Sequence, residues 1–244
     1  MKILKNILVI TFCVIGCGLV ANAFNHIELT PLLAAGSIAA SYGMQQTGVA
    51  FGSLCGRVAA GVTLDCDNPI ISGVDADLIL FNRNEVDLAT VTYNTLNKLI
   101  IEAMAMQATK PAFKFEGKNL SVVPKQSLVK KDFSSNIEHL IDFYVFTSTP
   151  DVKKNLESMK DGNLGGIVLN KFTGATGNAA YEVYGWDCGL EMFILERNLG
   201  DDVTGSAYKI QLKSNPKALE PHLPRNIFIT SLAASKAVVD ALLV

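Results

Sequence analysis

Downstream of residue 65 the apolar residues come in short runs, repeatedly interrupted by Gly, Asn, Asp and Pro. A chain punctuated so often can build many strands but few helices, because a helix of ordinary length needs about ten residues of unbroken helical period. The alternation at Tyr208, Ile210 and Leu212 against Lys209, Gln211 and Lys213 predicts a strand with one face buried. Residues 77–81 form an apolar run bounded by Asn and Asp, which suits a fully buried strand. Residues 110–117 alternate so that Phe113 and Phe115 share a face. Residues 137–147 carry β-branched and aromatic side chains on both faces, as a strand buried twice, or paired against a neighbouring subunit, would do. Residues 99–106 fit either a strand or a helix.

Two segments read as helices. Thr149-Pro150-Asp151 supplies an N-cap, a Pro at the first helical position and an acid in the first turn. Val152, Leu156 and Met159 then fall on one stripe, with Lys160 in the last turn and Gly162 placed for a left-handed C-cap. A second helix is expected after Ser231, with Leu232, Val238, Val239 and Leu242 facing one side. The order is strands, one capped helix, more strands and a terminal helix. It predicts an α+β fold, mainly β: an antiparallel β-sandwich or barrel with one flanking helix and a C-terminal helix. No βαβ alternation is present to suggest a doubly wound sheet. Gly165-Gly166 and the stretch from Gly174 to Gly177 read as turns, since neither leads into a helix N-terminus as a phosphate cradle requires.

Hydrophobic residues make up 49% of the 244 positions and charged ones 18%, which supports a substantial core. A net charge of −2 gives no basic footprint, so specific nucleic-acid binding is not expected.

The N-terminus follows the grammar of a secretory signal. Lys2 and Lys5 precede an apolar run over residues 7–20, followed by Ala21-Asn22-Ala23, so cleavage would leave Phe24 first. Val14-Ile15-Gly16-Cys17 also matches a lipoprotein box, which would make Cys17 an acylated anchor. The run is short for a membrane-spanning helix. Residues 29–64 carry Arg57 as their one charge, so the stretch also reads as an upstream extension with Met44 as the initiator. The expected organisation is a signal-like segment at 1–23, an Ala/Gly-rich segment at 24–64 and a β-rich assembly domain at 65–244. Membrane contact is expected only if the signal is used.

Chemistry-bearing residues are sparse. His26, His139 and His222 show no metal-ligand spacing, and His139 lies in a strand where a packing role is expected. Cys55 and Cys66 match no zinc or redox spacing; with Cys188 they leave either one disulfide and a free thiol or three reduced thiols. Asp65-Cys66-Asp67-Asn68 opens like a calcium loop but lacks the downstream Gly and Glu in register, so an Asx turn is expected. Asn119-Leu120-Ser121 fits a glycosylation sequon. Glu182, Asp187 and Glu191 surround Trp186, with Tyr181 and Tyr184 beside it. That group suits paired-carboxylate catalysis, a carbohydrate-binding face, or a hairpin crossing the core, and the last is the favoured reading. No catalytic, cofactor-binding or metal-binding residue is therefore assigned, and no enzymatic activity or cofactor is expected.

From Cys55 onward the chain resembles structural proteins encoded by phages and prophages of Bacteroidetes-type bacteria. The resemblance rests on Cys55-Gly56-Arg57, Gly61-Val62, Asp65-Cys66-Asp67-Asn68-Pro69, Gly73-Val74 and Ile79-Leu80-Phe81-Asn82. It is completed by Tyr184-Gly185-Trp186-Asp187-Cys188-Gly189-Leu190. It implies a tail-tube-like or neck-ring subunit, a small β-sandwich or barrel whose long hairpin joins neighbours into a ring. The implied partners are copies of itself and other virion subunits, in the virion or in host cytoplasm during assembly. The signal-like N-terminus departs from that pattern. It supports instead an exported envelope protein or lipoprotein, a ligand-binding β-module of the periplasm or cell envelope. A hydrolase using Glu182, Asp187 and Glu191 is the third reading.

Overall fold

The computed structural model describes residues 60–62, 66 and 69–243, and the unit Asp65–Val244 contains all the elements below. The elements run β1 (Val74–Asn82), β2 (Thr92–Tyr93), β3 (Ile100–Ala103), β4 (Phe113–Phe115), β5 (Val122–Lys131) and β6 (Ser134–Val145), then α1 (Pro150–Ser158). There follow β7 (Leu164–Asn170), β8 (Tyr181–Tyr184), β9 (Leu190–Arg197), β10 (Tyr208–Ser214), β11 (Arg225–Ile227) and α2 (Leu232–Ala241). All eleven strands belong to one mixed sheet, and the fold is α+β and mainly β, as expected. The pairing is antiparallel apart from β3 and β11, which run parallel.

The sheet has two limbs. One runs β4–β1–β7–β8–β11–β3–β2 and the other β9–β10–β6–β5, and they meet where Leu164 of β7 pairs Leu190 of β9. The limbs face each other across a core of Leu78, Leu80 and Val168 from the first and Ile141, Phe143, Ile210 and Leu212 from the second. Leu156 of α1 closes that core. The opposite face of the first limb presents Phe81, Ile167, Tyr181 and Val183 to a second core, which Val239 and Leu242 near the C-terminus cover. Strands β1 and β7 are thus buried on both faces, which explains their unbroken apolar runs.

The alternation at residues 208–213 is realised in β10, where Ile210 and Leu212 are fully buried. Thr149 caps α1 by accepting the Val152 N–H (3.3 Å), and Ser231 caps α2 by accepting the Ala234 N–H (3.2 Å).

Several expectations need correction. The ambiguous run at 99–106 contains a short strand, β3, held between β2 and β11. Helix α1 ends at Ser158, before Lys160, and Gly162 is not one of the positive-φ glycines; its N–H donates to the Met159 carbonyl at 3.0 Å. In α2, Leu232 faces outward while Ser235 joins Val239 on the buried stripe. Strand β6 is buried on one face only, through His139, Ile141, Phe143 and Val145. Its other face is half-exposed and polar at two positions: Glu138 pairs Lys213 (2.9 Å) and Asp142 pairs Lys125 (3.0 Å). β5 pairs one edge of β6 from Ser134 to Phe143, and β10 pairs the other from Leu140 to Val145. The segment from Gly174 to Gly177 is a turn, as read. Gly165 and Gly166, however, lie inside β7.

The Gly pair sits where the two cores need space. A side chain at Gly165 would strike the Phe81 ring, and one at Gly166 would come within 2.6 Å of Ile141 Cδ1. The aromatic ring on one face and the opposing limb on the other occupy the volume that Cβ atoms would take. Gly165→Ala should therefore destabilise the protein by about 1–3 kcal/mol through overpacking. Phe81→Leu in the same chain should recover part of the loss, and urea denaturation of the two variants measures both effects.

Candidate functional site

The densest set of polar interactions surrounds the turn between β8 and β9. Tyr184 ends β8, Leu190 begins β9, and Gly185 and Gly189 bracket the turn with φ of 69° and 89°. Those angles suit glycine, and at Gly189 a Cβ would also collide with the Asn163 side chain. A tight turn of this kind leaves its amides pointing inward with no strand partner, so other groups must satisfy them.

Two buried side chains do so. Glu220 accepts the N–H groups of Asp187 (2.9 Å), Cys188 (2.9 Å) and Gly189 (3.0 Å) on its carboxylate. His139 Nδ1 accepts the Gly185 N–H at 3.1 Å. The Nε2–H of His139 donates to the His222 carbonyl at 3.1 Å, which fixes the neutral tautomer. From outside, Arg83 Nε donates to the Trp186 carbonyl at 2.8 Å. Each partner comes from a different stretch of chain, so the turn pins β6, the 215–222 loop and the β1 end together.

The electrostatics follow from burial. Burial lowers the His139 pKa to about 4, against the opposing effects of the His222 carbonyl and Asp187. Burial raises the Glu220 carboxyl above its ordinary range, although the three amide bonds oppose the rise. The Cys188 thiol is also raised, by burial and by the charges of Glu220 and Asp187, which keeps it protonated and a poor nucleophile. Its Sγ donates to the Leu219 carbonyl at 3.4 Å.

The three acids suggested by sequence do not converge; each has its own partner. Glu182 accepts from the Tyr184 hydroxyl (2.9 Å), Asp187 accepts twice from Arg225 (3.0 Å each), and Glu191 accepts from Asn215 (2.9 Å). Tyr181, Tyr184 and Trp186 are core residues, with Tyr184 only 3% and Trp186 only 6% exposed, so they form no open aromatic platform. Trp186 Nε1 donates to the Tyr93 hydroxyl at 2.8 Å, and the Arg225 guanidinium lies 5.0 Å from the centre of that tyrosine ring. A cleft of about 460 Å³ opens beside this cluster, lined by Arg83, Asp87, Leu88, Tyr93, Trp186 and Asp187.

His139 is the packed histidine that its strand position suggested. Glu220, Arg225, Arg83 and Tyr93 were not legible as partners, because their contacts with the turn span 31 to 103 residues of sequence. The one local hint was Glu220, a lone acid between Leu219 and Pro221. Cys66 is free and exposed, whereas Cys55, the start of the calcium-like motif and the signal-like segment lie outside the described residues. Among the described residues no three His, Cys, Asp or Glu side chains are grouped to hold a metal. Comparison with protein-family models, curated proteins and solved structures finds no match.

The depressed His139 pKa makes stability pH-dependent. The unfolded imidazole takes up a proton as pH falls through about 6.5, while the folded one resists until about 4. His139 therefore contributes its full stabilisation above about pH 6.5 and loses about 3 kcal/mol of it as pH falls to 4. Glu220 works in the opposite sense, since its raised pKa favours the protonated folded form at low pH. Replacing His139→Phe should lower stability at pH 7 and flatten the decline between pH 6.5 and 4. Denaturant titrations at pH 7 and 4.5 report this, and an unchanged slope would rule out His139 as the titrating group.

Proposed function

We propose that the chain is a non-enzymatic structural subunit that assembles with copies of itself, as part of a phage tail or related virion structure. The observation that carries this reading is the β5–β6 hairpin. Its two strands pair over ten registered positions and close through Asp132 and Phe133. The far half outruns the core, so that Leu128 is 59% exposed and Phe133 at the tip is fully exposed. A tight turn gains nothing from a solvated aromatic ring, whereas a contact with another chain does. The reading also accords with the resemblance to phage structural proteins, and with the candidate site, whose buried acid and histidine are both spent on holding one turn.

The hairpin's tip, and not its edge, is the contact. Strand β5 ends the sheet and its outer edge is unpaired among the described residues. Yet β5 carries Pro124, which lacks an N–H, together with Lys125, Lys130 and Lys131. These are the features that discourage strand-to-strand pairing. Other virion subunits are the further partners on this reading, and the host cytoplasm is the place of assembly.

A second reading, an exported ligand-binding β-module, draws on the 460 Å³ cleft beside Trp186. Trp186 is the single tryptophan, so a ligand there would shift the intrinsic fluorescence.

Sedimentation velocity of the full chain over a wide concentration range tests the main reading. Discrete large species that grow with concentration are expected. A strictly monomeric protein at the highest concentration would overturn it.

A further inference from the structure

The cleft beside Trp186 holds two charged side chains that the fold positions and leaves without a counter-ion. Arg83 Nε donates to the Trp186 carbonyl at 2.8 Å, and the Arg83 backbone N–H donates to the Asn163 carbonyl at 2.9 Å. These bonds orient the guanidinium, yet Arg83 has no ion-pair partner among the described residues. Asp87 is held by two bonds of its own. Its N–H donates to the Ala105 carbonyl at 2.9 Å, and its Oδ1 accepts the Ala89 N–H at 3.1 Å. Among the described residues Asp87 has no ion-pair partner either, and the two charges do not pair with each other. The other acid of the lining, Asp187, is already matched by Arg225 through both oxygens, at 3.0 Å each.

Neutral groups of the lining extend each charge. The Tyr93 hydroxyl oxygen accepts the Trp186 Nε1–H at 2.8 Å, which leaves its own proton to donate. A guanidinium and a hydroxyl donor therefore flank Trp186. Gln107 Nε2 donates to the Asn84 carbonyl at 3.2 Å, which leaves its Oε1 as an acceptor. The bridge between Val86 and Met106 brings Gln107 to the Asp87 side. Leu88, 75% exposed, adds apolar surface at the rim. The cleft's volume of about 460 Å³ is that of a small-molecule site.

The unmatched charges select among ligands. An anion would satisfy Arg83 but face Asp87, and a cation would meet the reverse. A neutral molecule would take water from both and replace it for neither, which is costly. A zwitterion satisfies both. Its carboxylate matches the two parallel donors of the Arg83 fork, and an ammonium supplies three donors for Asp87 Oδ2 and Gln107 Oε1.

We propose that this cleft binds a small zwitterion of the amino-acid class, its carboxylate on Arg83, its ammonium on Asp87 and its apolar part against Leu88. This rests on the ligand-binding reading of the cleft given above and names the ligand.

The test titrates the full chain with L-leucine and with ε-aminocaproate, which carry the same two charges at short and long separation. N-acetyl-L-leucine and L-leucine methyl ester, each lacking one charge, are the comparison ligands. Binding is read by Trp186 fluorescence and by calorimetry. Saturable binding of at least one zwitterion is expected, with both blocked derivatives of leucine weaker than it by about tenfold or more. Asp87→Asn keeps an acceptor for the Ala89 amide and removes the charge, so it should weaken that zwitterion by a similar factor. Blocked derivatives that bind as well as the zwitterions, or an Asp87→Asn variant that binds like wild type, overturn the zwitterion assignment while leaving the cleft a ligand site. No binding of any of the four compounds overturns both.

Discussion

Strand β7 carries packed layers on both faces, and the architecture follows from how that is accommodated. On one side it meets the opposing limb of the sheet, with Leu164 and Val168 reaching the first core; on the other, Ile167 joins the second core under α2. Where the Phe81 ring and Ile141 press closest, β7 presents Gly165 and Gly166. Interiors are packed to near-crystalline density, so even one methyl group on this strand has no room. Glycine weakens a strand by the entropy it loses on ordering, and here close approach of two layers offsets that cost.

The clasp around residues 185–189 solves a different problem. The turn joins the two limbs beside the one direct pairing between them among the described residues, Leu164 with Leu190, and its amides face inward. Placing a carboxylate there costs several kcal/mol in lost hydration. Three charge-assisted bonds from consecutive amides offset much of that cost for Glu220. His139 avoids it by remaining neutral, accepting one amide and donating to a carbonyl. The amides of Gly185, Asp187, Cys188 and Gly189 are thus each satisfied by a residue distant in sequence, which ties the turn to β6 and to the 215–222 loop. Chemistry and architecture are then in competition for the same groups: an imidazole with both nitrogens engaged has none left for proton transfer.

What the sequence revealed divides along the same line. Residues 208–213 and the cap at Thr149 were legible because a strand's period and a helix's first turn are local. The buried run at 77–81 was legible because two-sided burial leaves an unbroken apolar string. Gly165-Gly166 was read as a turn because glycine signals a bend as readily as a close approach, and only Phe81, more than 80 residues earlier, distinguishes them. Residues 137–147 looked two-faced because Leu140 and Tyr144 are apolar, yet those positions share their face with the paired Glu138 and Asp142. The acids near Trp186 looked like a cluster because they are close in sequence; alternation and the turn send them to Tyr184, Arg225 and Asn215 instead.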